Sequence, residues 1–249
     1  MEEIVSVSDS LDKSSLSSEL KAKVEHAVSL LQTAHQEYGD VTFANSLGAE
    51  DVVINDLICR FVPEIEVFSL DTGRLPEETL TLLAKLEEHY DRKVKVYYPE
   101  ANAVESYVRE KGINAFYQGQ DLRKACCHVR KVEPLKRALS DKKAWVTGIR
   151  REQAMTRGTI AFNEWDEGNQ LQKINPLADW TEKEVWAYIK AEEVPYNELH
   201  DLHYPSIGCA PCTRAIAVGE DVRAGRWWWE NPDSKECGLH PVTSLKKPS

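Results

Sequence analysis

The sequence predicts an α/β fold in which helices flank a parallel β-sheet. Short β-type runs alternate with helical segments as far as Gly148, and this alternation is typical of parallel strands joined by right-handed crossovers. The length of 249 residues, with 42% hydrophobic and 29% charged residues, allows one large domain with a substantial core.

The predicted elements follow one another in a regular order. Apolar residues at helical spacing from Ser18 to Tyr38 indicate a first helix, which Gly39 ends. The β-type runs lie at 41–44, 65–70, 94–98 and 144–147, and the helical segments between them at 50–60, 76–90 and 129–139. A pair of strands within 162–174 and a helix over 181–191 follow. From His200 onward, glycine, proline, cysteine and three consecutive tryptophans indicate a functional lid or tail.

The charge and the cysteines limit the classes of function. A net charge of −10 argues against nucleic-acid binding, because the field of the protein repels phosphates, so an anionic substrate needs a local basic cluster. The sequence contains neither a stretch of about 20 apolar residues nor a secretion signal, so a soluble, cytoplasmic protein without a membrane partner is expected. In that compartment the six cysteines are expected to stay reduced, as ligands or nucleophiles.

Two turns at the ends of neighbouring predicted strands form a candidate nucleotide site. Ser46 and Gly48 follow the first strand, where the glycine lets the backbone approach an anion at a helix N-terminus. Thr72, Gly73 and Arg74 follow the second strand in a similar turn. The alternative is that each turn only caps the helix after it. Together the two turns favour a nucleotide crevice.

Four cysteines in two pairs form a candidate metal site. Cys209 and Cys212 have the two-residue spacing that lets both sulfurs face one metal centre, and Cys126 with Cys127 could supply two more thiolates. Zinc and an iron–sulfur cluster both fit this set, and the adjacent pair favours the cluster. Two buried thiols with a redox CxxC are a further alternative. Cys59 lies among apolar residues and is predicted to be core.

Cys237 stands alone in a polar stretch near the C-terminus. An exposed thiol of this kind is a candidate nucleophile, and His240 or nearby arginines would raise its thiolate fraction; the alternative is an incidental surface thiol. Basic residues concentrate near the cysteines and the predicted loops, which favours an anion site, although each alone could be a solvated surface residue. They are Arg123, Lys124, Arg130, Lys131, Arg150, Arg151, Arg157, Arg214, Arg223 and Arg226.

Over residues 41–240 the sequence resembles the assimilatory adenylyl-sulfate and phosphoadenylyl-sulfate reductases. The motifs that carry the resemblance are CCHVRK at 126–131, CAPC at 209–212, RAGRWWWE at 223–230 and ECGLH at 236–240. The resemblance implies a Rossmann-like, adenine nucleotide alpha hydrolase-like sheet with a C-terminal catalytic tail. It divides the chain into a flexible segment 1–18, an α/β nucleotide-binding and iron–sulfur domain 19–230, and a mobile tail 231–249.

The resemblance also implies the chemistry and the site. Cys126, Cys127, Cys209 and Cys212 match the ligands of one [4Fe–4S] cluster per subunit, Cys237 matches the nucleophile, and Lys131 matches a lysine that links cluster and substrate. Members with both cysteine pairs use adenosine 5′-phosphosulfate, and thioredoxin or a similar dithiol supplies electrons to a homo-oligomer. The implied substrate contacts are Ser46, Gly48, Thr72, Gly73, Arg74, Lys131, Arg150, Arg151, Arg157, Arg223, Arg226 and His240. Leu47 departs from the family, which often has serine at that place.

The expected reaction passes through a sulfonate on Cys237 and gives sulfite and AMP, a step in sulfate assimilation and cysteine biosynthesis. One alternative is phosphoadenylyl-sulfate reduction, which the four cluster-type cysteines disfavour. A tRNA-thiolating ATPase of related fold would need a Ser-Gly-Gly-x-Asp-Ser loop, which residues 47–51 lack. A zinc-stabilised nucleotide-binding module would leave Cys237 and the arginines without a role.

Overall fold

The computed structural model describes residues 7–12, 14–153 and 160–231. Within these ranges one six-stranded sheet has the order β3-β2-β1-β4-β6-β5. The strands are β1 (Val41–Ala44), β2 (Glu66–Leu70), β3 (Lys95–Tyr97), β4 (Ala144–Val146), β5 (Asn163–Asp166) and β6 (Leu171–Ile174). All neighbours pair in parallel except β5 with β6, which form an antiparallel edge. The predicted α/β class, its four parallel runs and the later strand pair are confirmed.

Eight α-helices connect and cover the strands in the described residues. They are α1 (Val7–Asp12), α2 (Ser18–Tyr38), α3 (Ala49–Phe61), α4 (Glu77–His89), α5 (Ala101–Lys111), α6 (Gln120–Cys127), α7 (Glu133–Leu139) and α8 (Glu182–Ala191). A π-helical turn, His128–Val132, joins α6 to α7. The sequence does not predict α1, α5 or α6. α1 lies within the segment 1–18 that the sequence predicts to be flexible, and its Leu11 is buried in the main core.

The sheet is covered on both faces. The main core packs apolar residues of α2, α3 and α8 against one face, where Phe43 and Val146 project from the strands. A smaller core on the other face joins Phe68 and Trp145 to apolar residues of α7. Alternate residues of the central strands therefore enter opposite cores, as the pleat of a buried parallel sheet requires.

The strand order places a crevice at one edge of the sheet. From β1 the chain steps outward through β2 and β3, whereas β4 lies on the other side of β1. In open α/β sheets, ligands bind outside the carboxyl ends of the strands at such a reversal point. The loops after β1, β2 and β4 are therefore neighbours there. In the described part of the chain, no helix combines the length and the apolar character that crossing a bilayer requires.

Candidate active site

The loop between β1 and α3 is held by two buried side chains. Asn45 Oδ1 accepts a hydrogen bond from the backbone N–H of Leu47 at 2.8 Å, and Asp51 Oδ2 accepts one from the N–H of Ser46 at 2.6 Å. Asn45 also donates from Nδ2 to Asn55 Oδ1 on α3 at 3.2 Å. These bonds fix the loop before any ligand arrives, and Ser46 remains exposed.

Leu47 has a structural role in this loop. Its φ of +64° lies in the left-handed region, and its side chain packs in the main core with 1% exposure. The loop therefore presents no side-chain hydroxyl at this position, which is where the sequence departs from the resembled family. Gly48 is the N-cap of α3 and makes no side-chain cap, so the first turn of α3 can offer backbone N–H groups to an anion.

The loop after β4 approaches the same helix end very closely. A Cβ added to Gly148 would lie 2.1 Å from Asp51 Oδ1 and 3.0 Å from Glu50 Cβ, so only glycine fits there. Burial raises the pKa of Asp51 to about 6, against the lowering effect of the hydrogen bond from Ser46. The loops after β1 and β4 are thus packed against each other through a buried carboxyl group.

The arginines that follow β4 are held by protein groups. Arg150 is 4% exposed, and its Nε lies 2.8 Å from Glu50 Oε1 while its Nη1 also binds Glu152. Arg151 donates from Nε to the backbone oxygen of Ile160 at 2.7 Å, and its guanidinium carbon lies 4.8 Å from the ring centroid of Phe162. Arg150 therefore borders the crevice inside an ion-pair cluster, and Arg151 packs on the β5 side. Arg157 lies outside the described residues.

The loop after β2 joins the crevice to the cysteines. Thr72 is fully buried, and its Oγ1 lies 3.2 Å from Cys209 Sγ. Arg130 Nη1 donates to the backbone oxygen of Thr72 at 2.6 Å, and Gly73 has a φ of +67°. The backbone oxygen of Arg74 accepts from the N–H of Ala210 at 2.8 Å. The contacts from Thr72 to Cys209 and from Arg74 to Ala210 therefore hold this loop directly against the CxxC turn.

All four paired cysteines line one cavity with about 330 Å³ of empty space. Cys126 and Cys127 are the last residues of α6, and the π-helical turn after them brings Lys131 to the same cavity. Cys209 and Cys212 flank a short 3₁₀ turn, in which the N–H of Cys212 donates to the oxygen of Cys209 at 2.9 Å. The other lining residues are Arg74, Phe116, Arg123, Arg130 and Pro211.

The donor set suits a thiolate-bound centre. Burial raises the pKa of Cys126, and burial together with the neighbouring sulfurs of Cys209 and Cys127 raises the pKa of Cys212 to about 12. Buried thiols such as Cys126 and Cys212 are costly to ionise unless cations or a metal centre compensate the charge. Among the described residues, no group of three His, Cys, Asp or Glu side chains is spaced to hold a single metal ion. A four-iron cluster takes four cysteine ligands around a larger body, and four cysteines line this one cavity.

The tryptophan segment, residues 227–229, closes one side of the cavity. The N–H of Trp227 donates to the backbone oxygen of Cys212 at 3.1 Å, and Arg226 stacks on the Trp227 ring at 4.7 Å. A Cβ on Gly208 would lie 2.3 Å from Arg226 Nη2, so this glycine makes room for the guanidinium. Arg223 is half-buried one turn before. Cys237 and His240 lie outside the described residues.

A larger groove, with about 1080 Å³ of empty space, includes Arg150 in its lining. It runs between the N-terminus of α3, helix α8 and residues 216–222, and its wall includes Glu50, Trp186 and His200. Of the residues predicted to contact substrate, Arg150 lines this groove, and the cysteine cavity is separate from it.

A family model described as phosphoadenosine phosphosulfate reductase domain matches residues 40–215 of this chain. The chain belongs to the phosphoadenosine phosphosulfate reductase family. The match begins just before β1 and ends after the CxxC turn, so it covers the sheet, the crevice and all four paired cysteines.

Sequence matches to named relatives cover most of the chain. It is 57% identical to the adenosine 5′-phosphosulfate reductase of Allochromatium vinosum over 86% of this chain and 84% of that protein. It is 53% identical to the protein of the same name from Burkholderia cepacia, over 94% of each. The crystal structure of phosphoadenylyl-sulfate reductase from Candida auris, a phosphate complex, superposes with a TM-score of 0.66 at 28% identity. That match covers 81% of this chain and 98% of the fungal one.

The structure of this reductase-family chain sorts the predicted site residues into two adjoining groups. The cysteine cavity gathers Arg74, Lys131, Cys126, Cys127, Cys209 and Cys212, with Thr72, Gly73 and Arg226 against its walls. The crevice at the reversal point gathers Ser46, Gly48 and Arg150. Arg151 stands apart, on Phe162. Phe116, which is 1% exposed beneath Arg74, also lines the cavity. Phe116 lies in a short apolar stretch before a polar helix, and no motif in that stretch indicates a functional site.

Proposed function

We propose that this family member reduces adenosine 5′-phosphosulfate to sulfite and AMP, with Cys237 as the nucleophile and thioredoxin or a similar dithiol as the reductant. The observation that carries the proposal is the single cavity lined by four cysteines and Lys131, set against the Thr72 loop of the nucleotide crevice. Two relatives at 57% and 53% identity that are named adenosine 5′-phosphosulfate reductase support it. The cytoplasmic location, the homo-oligomer and the division at 18/19 and 230/231 stay predictions.

Cys126, Cys127, Cys209 and Cys212 would hold a [4Fe–4S] cluster, one in each subunit. Such a cluster would supply a compact, negatively polarised centre beside the substrate. Lys131 lines the cysteine cavity, and Arg130 donates to the backbone oxygen of Thr72 in the loop that borders the crevice. These cations would offset the thiolate charge, and Lys131 would also meet a sulfate oxygen.

The nucleotide would lie across the carboxyl ends of β1 and β2. Its phosphate would accept from the first turn of α3 at Gly48 and from exposed Ser46, because the loop is already folded by Asn45 and Asp51. Gly73 and Arg74 would border the neighbouring side, and Arg223 and Arg226 would meet the sulfate oxygens. Preset donors of this kind stabilise the charge that develops during group transfer.

The reaction would proceed in two thiol steps. The Cys237 thiolate attacks the sulfate sulfur, the bond from sulfur to the phosphate oxygen breaks, and AMP leaves with the electron pair, so Cys237 carries an S-sulfonate. A thiolate of the dithiol then attacks Cys237 Sγ and expels sulfite with its electron pair. The second thiol of the reductant attacks the mixed disulfide, and Cys237 is released as thiolate. The reductant loses two electrons, and sulfur passes from the sulfate to the sulfite oxidation state.

Mass spectrometry of the intact protein tests the proposal directly. Protein freed of dithiol is mixed with adenosine 5′-phosphosulfate and, in parallel, with the 3′-phosphorylated nucleotide. The expected result is one added sulfonate group, located by peptide mapping on Cys237, with the first nucleotide reacting faster. Cys59→Ser is the matched control, because Cys59 is a half-buried thiol outside both site groups, and this variant should form the same adduct. Sulfite production by Cys237→Ser, or an adduct on another cysteine, would refute the assignment.

Metal analysis tests the cofactor separately. The protein purified without oxygen should contain iron and inorganic sulfide in equal amounts, about four of each per chain. Replacement of Cys212 by serine should abolish this content. Zinc in place of iron in the wild-type protein would overturn the cluster assignment and leave the test on Cys237 unaffected.

A further inference from the structure

Arg123 lies in the middle of α6, where its guanidinium contacts a sulfur, a carboxylate and an aromatic ring. It hydrogen-bonds the side chain of Cys127, which lies four positions further along the same helix and so on the same face. It forms a fork on Glu230, with Nε to Oε1 at 2.7 Å and Nη2 to Oε2 at 2.8 Å. Its guanidinium carbon lies 4.5 Å from the ring centroid of Trp227. The group that bonds the Cys127 sulfur is therefore held by contacts on two further sides.

The pair of Arg123 and Glu230 is buried, with 1% and 7% of the two side chains exposed. A buried charge is stable only where a partner compensates it, and a bidentate fork does this with good geometry. The pair as a whole carries no net charge. Arg123 therefore offers the Cys127 sulfur an oriented N–H donor, while the carboxylate cancels most of the positive field of the guanidinium.

Two other sulfurs of the cavity have polar contacts of a different kind. Cys126 hydrogen-bonds the side chain of Arg130, whose Nη1 donates to the backbone oxygen of Thr72. Cys209 Sγ lies 3.2 Å from the hydroxyl oxygen of Thr72, which carries no charge. The surroundings of Cys127 differ from both, because they contain a guanidinium whose charge a buried carboxylate balances.

We propose that Arg123 is a positioning residue for the iron–sulfur cluster: it donates to the thiolate of Cys127, and Glu230 both orients the guanidinium and limits the charge that it adds. The inference rests on the cluster in the function proposed above. Hydrogen bonds to the sulfurs are among the factors that tune such a cluster, and groups that orient a metal ligand typically change metal affinity by about 10- to 100-fold. A donor on the sulfur draws electron density from the iron–sulfur bond and stabilises the thiolate against protonation and release.

Two variants should change the cluster in opposite directions. Glu230→Gln keeps the size of the side chain and one acceptor but removes the carboxylate charge, so the pull of Arg123 on the Cys127 sulfur increases. The double variant Arg123→Met with Glu230→Gln removes the donor and the carboxylate together, so it leaves no unpaired buried charge. Glu220→Gln is the matched control: Glu220 forms a similar fork with Arg214, at 3.0 and 2.9 Å, in a pair that is about one-third exposed and outside the lining of the cysteine cavity.

Two measurements on the resting cluster test the proposal. Resonance Raman spectroscopy gives the stretching frequency of the bonds between iron and cysteine sulfur, which should fall in Glu230→Gln and rise in the double variant. The rate of iron release to a chelator without oxygen should rise about 10- to 100-fold in the double variant and stay within about twofold of wild type in Glu230→Gln. Circular dichroism should show folded protein in both, and Glu220→Gln should match the wild-type protein in every measurement.

The direction of the frequency shift separates tuning from a structural role. A frequency that is unchanged in both variants, or that moves in the same direction in both, overturns the inference, because a pair that only holds the fold does not produce opposite shifts. Faster iron release or loss of folded protein in Glu230→Gln overturns it as well. Where the double variant holds no iron, the frequency in Glu230→Gln decides alone: a fall supports the inference, and no change or a rise overturns it.

The wild-type protein distinguishes failure of this inference from failure of the proposed function. Wild-type protein without iron refutes the cluster itself, and the role of Arg123 with it. Wild-type protein that contains iron, together with variants that show no opposite shifts, refutes only the role of Arg123.

Discussion

Asp51→Asn should remove a pH dependence of stability that the structure assigns to one buried carboxyl group. Burial raises the pKa of Asp51 to about 6 from its ordinary 3.8, because the charged form lies against Gly148 and next to Glu50. The folded protein therefore binds this proton more tightly than the unfolded chain. The contribution to stability is complete below pH 3.8 and is lost as the pH rises to 6.

The magnitude follows from the same shift. A change of about two pKa units corresponds to about 3 kcal/mol in full, of which about 1.3 kcal/mol falls between pH 5 and pH 7. Asparagine does not titrate, and its Oδ1 can still accept from the N–H of Ser46. The free energy of unfolding of Asp51→Asn minus that of wild type should therefore rise by about 1 kcal/mol over this interval.

The assay is urea unfolding at pH 5, 6 and 7, without oxygen and with both proteins in the same metal state. Subtracting the two free energies of unfolding cancels the contribution of every group that titrates alike in both proteins. Asp179→Asn, which replaces an exposed carboxylate, serves as the control variant. A difference for Asp51→Asn that stays constant with pH, or that falls as pH rises, would refute the reasoning about this carboxyl group.

Three further changes test the walls of the cysteine cavity. Gly208→Ala places a methyl group 2.3 Å from Arg226 Nη2, so the guanidinium must move, and isothermal titration should show at least 10-fold weaker binding of adenosine 5′-phosphosulfate. Phe116→Ala removes a ring that is 1% exposed, so urea unfolding should show a loss of about 3–5 kcal/mol. Thr72→Val removes the oxygen 3.2 Å from Cys209 Sγ. With the cluster proposed above in place, this variant should release iron faster in air, followed by absorbance, while its Michaelis constant stays close to that of wild type.

Most of the fold could be predicted because its burial pattern is regular. α2, α3 and the parallel strands place apolar residues at the spacing of a helix or in continuous buried runs, and the sequence shows both directly. α5 and α6 could not be predicted in this way. Tyr107 is the buried residue of α5 and Arg123 that of α6, so neither helix has an apolar stripe.

The sequence could predict which residue types form the site, but not which of them pair with each other. The cysteine spacing predicts a site that both pairs share, and the structure places all four cysteines around one cavity. The partner of each arginine depends on contacts between residues far apart in sequence. Arg150 meets Glu50, 100 residues away, and Arg123 meets Glu230, 107 residues away. Local pattern carries no information on such pairs.

These pairings change how an acidic protein can attract a dianionic substrate. Arg123 is neutralised by Glu230, and Arg150 by Glu50 and Glu152, so neither adds a full positive charge to the field at the site. Within the described residues the side chain of Lys131 has no ion-pair partner, and it lines the cavity beside four sulfurs. Thiolates and sulfate oxygens repel each other where they approach, and a nearby lysine lowers that repulsion most strongly at that point. The ion-paired Arg123 and Arg150 act through geometry instead, because they hold the tryptophan segment and the loop after β4 in place. Arg74 and Arg130 also line the cavity and bind backbone oxygens rather than carboxylates among the described residues, so they add positive charge beside Lys131.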